Sequence, residues 1–353
     1  MILTLECLKS IIAIFIIVLS GATWGSTGAQ SKTATTLNEA SLATKHELWM
    51  ARYERVYADN AEKERRFKIF KDNAEYVHKF NDEENNHTYK LSLNEFADLT
   101  DEEFSRAYTG CKRSIRSAGS FKTIDPIKYE NLTDVPSSID WREKGAVTPV
   151  KYQGQCRSCW AFSAVAAVEG ITKIKSGKLI SFSEQELVDC DKIDGDNHGC
   201  SYGHLDSAFA YIAHAGISSE SNYPYTEKEG TCDTNKTRDY AAKITNYAIV
   251  DLNSETELLN VVSKQPVSAM VDRKGREFRL YSGGVFSGEC GTSLDHSVTV
   301  IGYGRTEDGI KYWLVKNSWG EHWGESGYMR IRRGVDAPQG LCGIAMQPLY
   351  PIV

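Results

Sequence analysis

The sequence predicts an α+β protein in which helices come first and strands follow, and three observations carry that expectation. Helical periodicity runs through the N-terminal part, an apolar helix begins near Ser158, and β-branched and aromatic stretches crowd the second half. Between Leu37 and Asn81 the pattern is helical. Within it, the stretch from Glu62 to Asn81 sets Phe67, Phe70, Ala74 and Val77 three or four apart on one stripe, with charge on the opposite face. From Ser105 to Thr133 the composition shifts to Ser, Gly and basic residues, including Lys112, Arg113 and Arg116, which reads as an exposed linker open to proteolytic nicking. The helix after Ser158 carries Ala161, Val165, Val168 and Ile171 at helical spacing. Strands are expected over 267–271, 296–303, 311–316 and 327–332. No internal repeat is found.

The 353 residues, 41% of them hydrophobic, suffice for one sizeable core and exclude a disordered or fibrous chain. A formal charge of −6 leaves no basic footprint for nucleic acid. At the N-terminus, Lys9 precedes the apolar run Ile11 to Leu19, and Ser20, Gly21 and Ala22 follow. The run is too short for the ~20 residues that cross a bilayer, so residues 1–28 read as a secretory signal peptide cut between 20 and 30. After its removal no membrane attachment is expected.

The nine cysteines are the first hint of chemistry. Cys7 lies in the signal, Cys111 stands alone before residue 134, and seven follow from Cys156 onward, of which six can pair and one cannot. The segment Gln153-Gly-Gln-Cys-Arg-Ser-Cys-Trp-Ala-Phe162 runs a loop straight into the apolar helix. Cys159 then sits where unsatisfied backbone N–H groups and the positive end of the helix dipole favour a thiolate, the nucleophilic form of cysteine. Spacing alone also fits the Cys-x-x-Cys pair of a thiol oxidoreductase, Cys156 with Cys159. Parity separates the two: if Cys156 pairs with Cys159 one other cysteine is stranded, and if it pairs elsewhere Cys159 is the odd thiol. A zinc site lacks a second ligand pair at suitable spacing, so neither metal nor cofactor is expected.

These residues resemble the papain family of cysteine peptidases, in its cathepsin L-like branch and most like the plant members. The resemblance spans nearly the whole chain and includes Asp140-Trp-Arg142, Gly145-Ala-Val-Thr-Pro-Val150, Asp295-His-Ser297, Gly302-Tyr-Gly304 and Lys316-Asn-Ser-Trp-Gly320. It implies a two-domain fold, with a helical left domain, a β-barrel-like right domain and the active-site cleft between them, preceded by a helical propeptide. The boundaries implied are an inhibitory propeptide over 29–104, a linker or activation segment over 105–134 and the peptidase over 135–353.

At matching positions the resemblance makes Cys159 the nucleophile, His296 the general base and acid, and Asn317 the group that orients the imidazole. It makes Gln153 an oxyanion donor and Trp319 the ring shielding the His296–Asn317 bond. Substrate would be bound by Gly203 and by a pocket of His204, Leu205, Met270, Leu294, Ser297 and Gln347. The implied disulfides are Cys156–Cys200, Cys190–Cys232 and Cys290–Cys342. In the precursor, Glu62, Arg66, Phe70, Asn73, Val77 and Asn81, then Asn94, Phe96 and Asp98, follow the inhibitory pattern, with Val77 and Ser92 as mild departures. Arg157 and Ser201-Tyr202 depart from the glycine-rich pattern beside the cleft, which bears on specificity: Arg157 is expected to lower the pKa of His296 by like charge.

Asn86, Asn131 and Asn235 begin glycosylation triplets. The function implied is a cysteine endopeptidase made as a latent zymogen for general protein degradation. It would act in a vacuole or lysosome or outside the cell, as a monomer, on polypeptide substrates. Its own propeptide would inhibit it, as would cystatin-like proteins. The other readings are a catalytically silent binding or storage protein of the same fold and the thiol oxidoreductase above.

Overall fold

The computed structural model describes residues 38–82, 86–111, 135–192 and 197–353. The signal cleavage, the basic cluster Lys112, Arg113 and Arg116, and Asn131 lie outside them. The N-terminal helical pattern resolves into two helices, α1 (Glu39–Arg52) and α2 (Asn60–Phe80). Asn38 Oδ1 accepts from the Ala40 N–H at 3.1 Å and Asp59 Oδ1 from the Glu62 N–H at 2.8 Å, so each helix starts where a side chain satisfies an orphan donor. Between them the chain turns through Glu54, at φ 52°. Trp49 of α1 meets Phe70 of α2 with ring centroids 5.4 Å apart. Phe70, Ala74 and Val77 of the expected stripe are buried, while Phe67 is only half-buried. Strand β1 (Tyr89–Leu91) and helix α3 (Asp101–Tyr108) follow, the latter opening with a capping box between Thr100 and Glu103.

After β2 (Ile139–Asp140), α4 (Cys159–Ser176) forms the buried spine of the helical part, packing on α5 (Glu184–Cys190) and α6 (Leu205–Ala215). It stops at Gly177, whose φ of 76° suits the left-handed cap. Glu169 at its centre is buried, which is tolerable only because Thr148 Oγ1, Lys151 Nζ and the Phe182 N–H all donate to it, at 2.6, 3.0 and 3.0 Å.

The remaining elements are β3 (Asn246–Ile249), α7 (Glu255–Val262), β4 (Val267–Val271), α8 (Arg276–Leu280), β5 (Tyr281–Phe286), β6 (His296–Arg305), β7 (Lys311–Lys316), β8 (Tyr328–Arg332) and β9 (Leu349–Ile352). All nine described strands join one sheet, in the order β1-β5-β8-β7-β6-β4-β9-β3 with β2 on β6. The four expected strands are present, β6 running two residues further. Those not foreseen are short or interrupted: β5 contains Gly283 and Gly284, and β9 contains Pro351. The edge pair β1–β5 is antiparallel, Tyr89 opposite Gly284, so a strand from the N-terminal region extends the sheet of the C-terminal part. Cys156 is bonded to Cys200, Cys190 to Cys232 and Cys290 to Cys342, the three pairs that the resemblance implies.

Candidate active site

Cys159 is the first residue of α4 and fully buried. The loop before it makes a tight turn, with Gly154 at φ 58° and Arg157 at φ 60°. That left-handed conformation is costly for a side chain, which is why glycine is the easier residue at position 157. Across the cleft, β6 begins with His296, and Asn317 lies one residue past the end of β7, its neighbour in the sheet. The two side chains meet through His296 Nε2 and Asn317 Oδ1 at 2.7 Å. Trp319 stacks on the imidazole, centroids 4.5 Å apart and planes at 29°. His296 Nδ1 has no hydrogen-bond partner among the described residues. Burial pushes the His296 pKa down to about 3. The bond to Asn317 opposes that shift, and the Arg273 guanidinium adds to it. In this form the imidazole is therefore neutral.

The end of α3 and the three residues after it lie in the cleft rather than in solvent, so residues 105–111 are not the exposed linker that was expected there. Tyr108 is 1% exposed, Thr109 8% and Cys111 5%. Gln153 Nε2 donates to the Tyr108 carbonyl at 3.2 Å, while its Oε1 accepts from Ser318 Oγ at 2.7 Å. Arg157 Nε donates to the Thr109 carbonyl at 2.6 Å and the Gly203 N–H to the Gly110 carbonyl at 2.9 Å. Gly110 passes so near that a Cβ on it would stand 2.3 Å from the Arg157 carbonyl oxygen. Cys111 then pairs with Gly203 in a parallel bridge, and its sulfur is bonded to that of Cys159.

That fourth disulfide corrects the expectation of a free thiol at Cys159: counting within the C-terminal region alone left out a cysteine that long-range packing carries into the cleft. The parity signal was nonetheless present, since eight cysteines follow Cys7, an even number. The Cys156–Cys159 redox pair is also corrected, because Cys156 is bonded to Cys200.

The pocket residues gather around the same place. Leu205 and Met270 are buried in one cluster with Cys159 and Cys111, and Leu294 packs against it. Ser297 Oγ and Gln347 Oε1 are buried without a hydrogen-bond partner among the described residues. His204 is half-buried beside Leu205. The electrostatic role expected of Arg157 falls instead to Arg273, the cation acting on His296. Arg273 is buried over the Phe104 ring at 5.0 Å and reaches Asp295 at 3.3 Å. Tyr202 lies against His198, centroids 4.5 Å apart.

Sequence reasoning missed Arg279 and Glu277. Arg279 is 1% exposed, and its guanidinium donates to Asp101 Oδ1, the Phe96 carbonyl and Asn73 Oδ1 at 3.0, 2.8 and 3.4 Å. Glu277 accepts from Tyr76 at 2.6 Å and from Tyr89. Nothing local marks either residue, since their partners lie about 180–200 positions away.

Residues 135–352 match the papain family cysteine protease model, and residues 46–104 match the cathepsin propeptide inhibitor domain. The chain is 50% identical over 320 residues to the senescence-specific cysteine protease SAG12 of Arabidopsis thaliana, covering 90% of this chain and 92% of that protein. It is 49% identical over 318 residues to vignain of Vigna mungo, covering 89% and 86%. Among solved structures, a recombinant stem bromelain precursor superposes with a TM-score of 0.80 at 45% identity, covering 88% of this chain and 99% of that one. The ragweed pollen allergen Amb a 11 in its proform gives 0.79 at 40% identity, with 90% and 96% covered. A helical N-terminal region threaded through the cleft of a helix-and-sheet hydrolase defines the class: a thiol peptidase precursor held latent by its own propeptide. The chain belongs to the papain family of cysteine proteases, among relatives from plants, and is a proenzyme cysteine endopeptidase.

Proposed function

We propose that Cys159, His296 and Asn317 carry out the hydrolysis, and the observation that supports this most directly is the buried His296–Asn317 bond beneath Trp319, which leaves Nδ1 without a partner among the described residues. Once Cys159 is a free thiol, its proton passes to His296 and the thiolate attacks the substrate carbonyl carbon. The thiolate's charge offsets the burial and Arg273 effects that keep the imidazole neutral here. The oxyanion is taken by Gln153 Nε2, which holds a carbonyl oxygen in the proenzyme, together with the Cys159 N–H. The imidazolium gives its proton to the leaving amine, forming a thioester. The neutral ring then draws a proton from water to release the acid. Asn317 fixes the ring without adding charge. Cys159→Ser and His296→Ala should each lower kcat/KM for a peptide substrate by roughly 10³-fold or more, and Asn317→Ala by less. Retained activity in Cys159→Ser would overturn the assignment.

The pocket of His204, Leu205, Met270, Leu294, Ser297 and Gln347 fits an apolar substrate side chain. Gly203 offers its N–H to the extended backbone, as it does to Gly110 here. Maturation is proposed near Val135, leaving the peptidase over 135–353; the pro-segment, expected over 29–104, extends through Cys111, and the joining segment expected over 105–134 shortens to 112–134. The signal over 1–28 directs the chain to the secretory pathway, with a vacuole or lysosome or the exterior as its destination. Asn86 and Asn235 are exposed and suited to glycosylation, and only Asn235 would remain on the mature enzyme. One chain carries the whole site, which supports a monomer. Cystatin-like inhibitors would compete for the donors that hold residues 108–111.

A further inference from the structure

We infer that the proenzyme carries a redox latch: the Cys111–Cys159 disulfide fastens the pro-segment to the nucleophile, and a thiol must open it before any peptide is cleaved. The inference rests on the proposed role of Cys159. It does not rest on the sulfur bond alone, because contacts made by the residues just before Cys111 fix where it lies. Upstream, the Tyr108 ring is wedged between Phe104 and Phe96, each 4.9 Å away centroid to centroid. The carbonyls of Tyr108, Thr109 and Gly110 are each held by the enzyme, through Gln153, Arg157 and Gly203. Gly110 packs onto the Arg157 backbone where no side chain fits. The Cα atoms of Cys111 and Cys159 are thereby brought to 6.5 Å, within the span a disulfide bridges. Both are buried, and the other six described cysteines are already paired, so neither has another described cysteine to bond with.

The bond forms by exchange with a disulfide oxidant met on the secretory route: two thiols and RSSR give the protein disulfide and two RSH. Opening is the reverse. A thiolate attacks Cys111 Sγ, the Cys159 thiolate leaves, and a second thiol resolves the mixed disulfide. Overall, two RSH become RSSR and both cysteines are reduced. Two consequences separate this device from latency by occlusion. Self-cleavage cannot start while the Cys159 sulfur is bonded, so reduction comes before proteolysis. If another protease cuts the segment after Cys111, the pro-segment stays covalently attached and the enzyme stays silent.

The test uses the full-length proenzyme secreted from eukaryotic cells, alkylated without reduction and mapped by mass spectrometry. The expected result is a pair of peptides joined through Cys111 and Cys159, and alkylation of Cys159 in untreated protein would overturn the latch. In parallel, peptide hydrolysis is followed at mildly acidic pH with and without dithiothreitol for wild type, Cys111→Ala and Cys159→Ala. Wild type should gain roughly 10³-fold with dithiol, the size of restoring a nucleophile. Cys111→Ala should mature without it to the level of dithiol-treated wild type. Cys111→Ala remaining as silent as wild type without dithiol also overturns the latch. If the joined peptides are present and dithiol separates them, yet wild type stays as inactive as Cys159→Ala, the role of Cys159 fails and the latch's function fails with it.

Discussion

The pro-segment meets the enzyme in two places that are built differently. At the sheet edge, β1 extends β5, Arg279 reaches Asp101, Asn73 and the Phe96 carbonyl, Arg276 reaches Asp72 at 2.7 Å, and Tyr76 and Tyr89 share Glu277. In the cleft, by contrast, residues 108–111 are held by their own backbone carbonyls and by one sulfur. At the dock the pro-segment contributes side chains as well as a strand, whereas in the cleft it is held chiefly through its carbonyls. Residues 108–110 are held through their carbonyls, so the sulfur of Cys111 can tie to Cys159 without using any group of the dock.

Breaking the dock is expected to have the largest effect. Among the described residues the Arg279 guanidinium makes its hydrogen bonds only to the pro-segment, so Arg279→Ala should leave the mature enzyme's stability unchanged. It should weaken docking by about 2–3 kcal/mol, a roughly 30–150-fold larger released fraction. Basal hydrolysis by uncleaved, dithiol-treated proenzyme reads this, and a latency equal to wild type would mean that the cleft alone holds the pro-segment.

Next comes Arg157→Gly, which loses the bond to the Thr109 carbonyl but relieves a left-handed backbone. The relief acts on docked and released forms alike, so the same assay should read only the lost bond, about 1–2 kcal/mol. Arg157→Gly should also leave the alkaline limb of the pH–rate profile in place, because Arg273 is the cation acting on His296. Arg273→Gln should move that limb upward, since removing a nearby positive charge lets the imidazolium persist to higher pH. Movement of the limb in Arg157→Gly instead would reassign the interaction.

The smallest effects concern acid release, where two buried groups of the pro-segment oppose each other. His46 is held below its ordinary 6.5 by burial among Trp49, Tyr57, Phe67 and Phe70; Glu47 and Asp98 pull the other way and Lys63 adds to the burial effect. The unfolded segment then binds the proton more readily, so this stability is complete above 6.5 and is lost as the pH falls below it. Glu95 is pushed up to about 7 by burial, with Arg55 and Tyr152 opposing, so the docked form gains a proton and becomes relatively more stable as the pH falls from 7 towards 4.5. Glu62 is held down to about 2 by Arg65 and Arg66, and its ion pairs keep their full contribution until the pH drops below the ordinary carboxylate range. In dithiol-treated proenzyme, His46→Phe should lower the pH at which activity appears and Glu95→Gln should raise it. Opposite shifts would mean that neither group governs release.

The stripe of Phe70, Ala74 and Val77, the helical spacing of Ala161, Val165, Val168 and Ile171 in α4, and the strand patterns of β4, β6 and β7 were all legible in the sequence, because each depends on residues a few positions apart. So was the position of Cys159 at a helix start. The tertiary structure alone decided what depends on separations of 23 to about 200 residues. Those decisions include the course of residues 108–111 through the cleft and the assignment of Arg273 rather than Arg157 to His296. They also include the dedication of Arg279 to the pro-segment and the meeting of Cys111 with Cys159. The physical reason is that periodicity and capping act within a turn or two of chain. A charge or a sulfur finds its partner only after the two parts of the fold have packed.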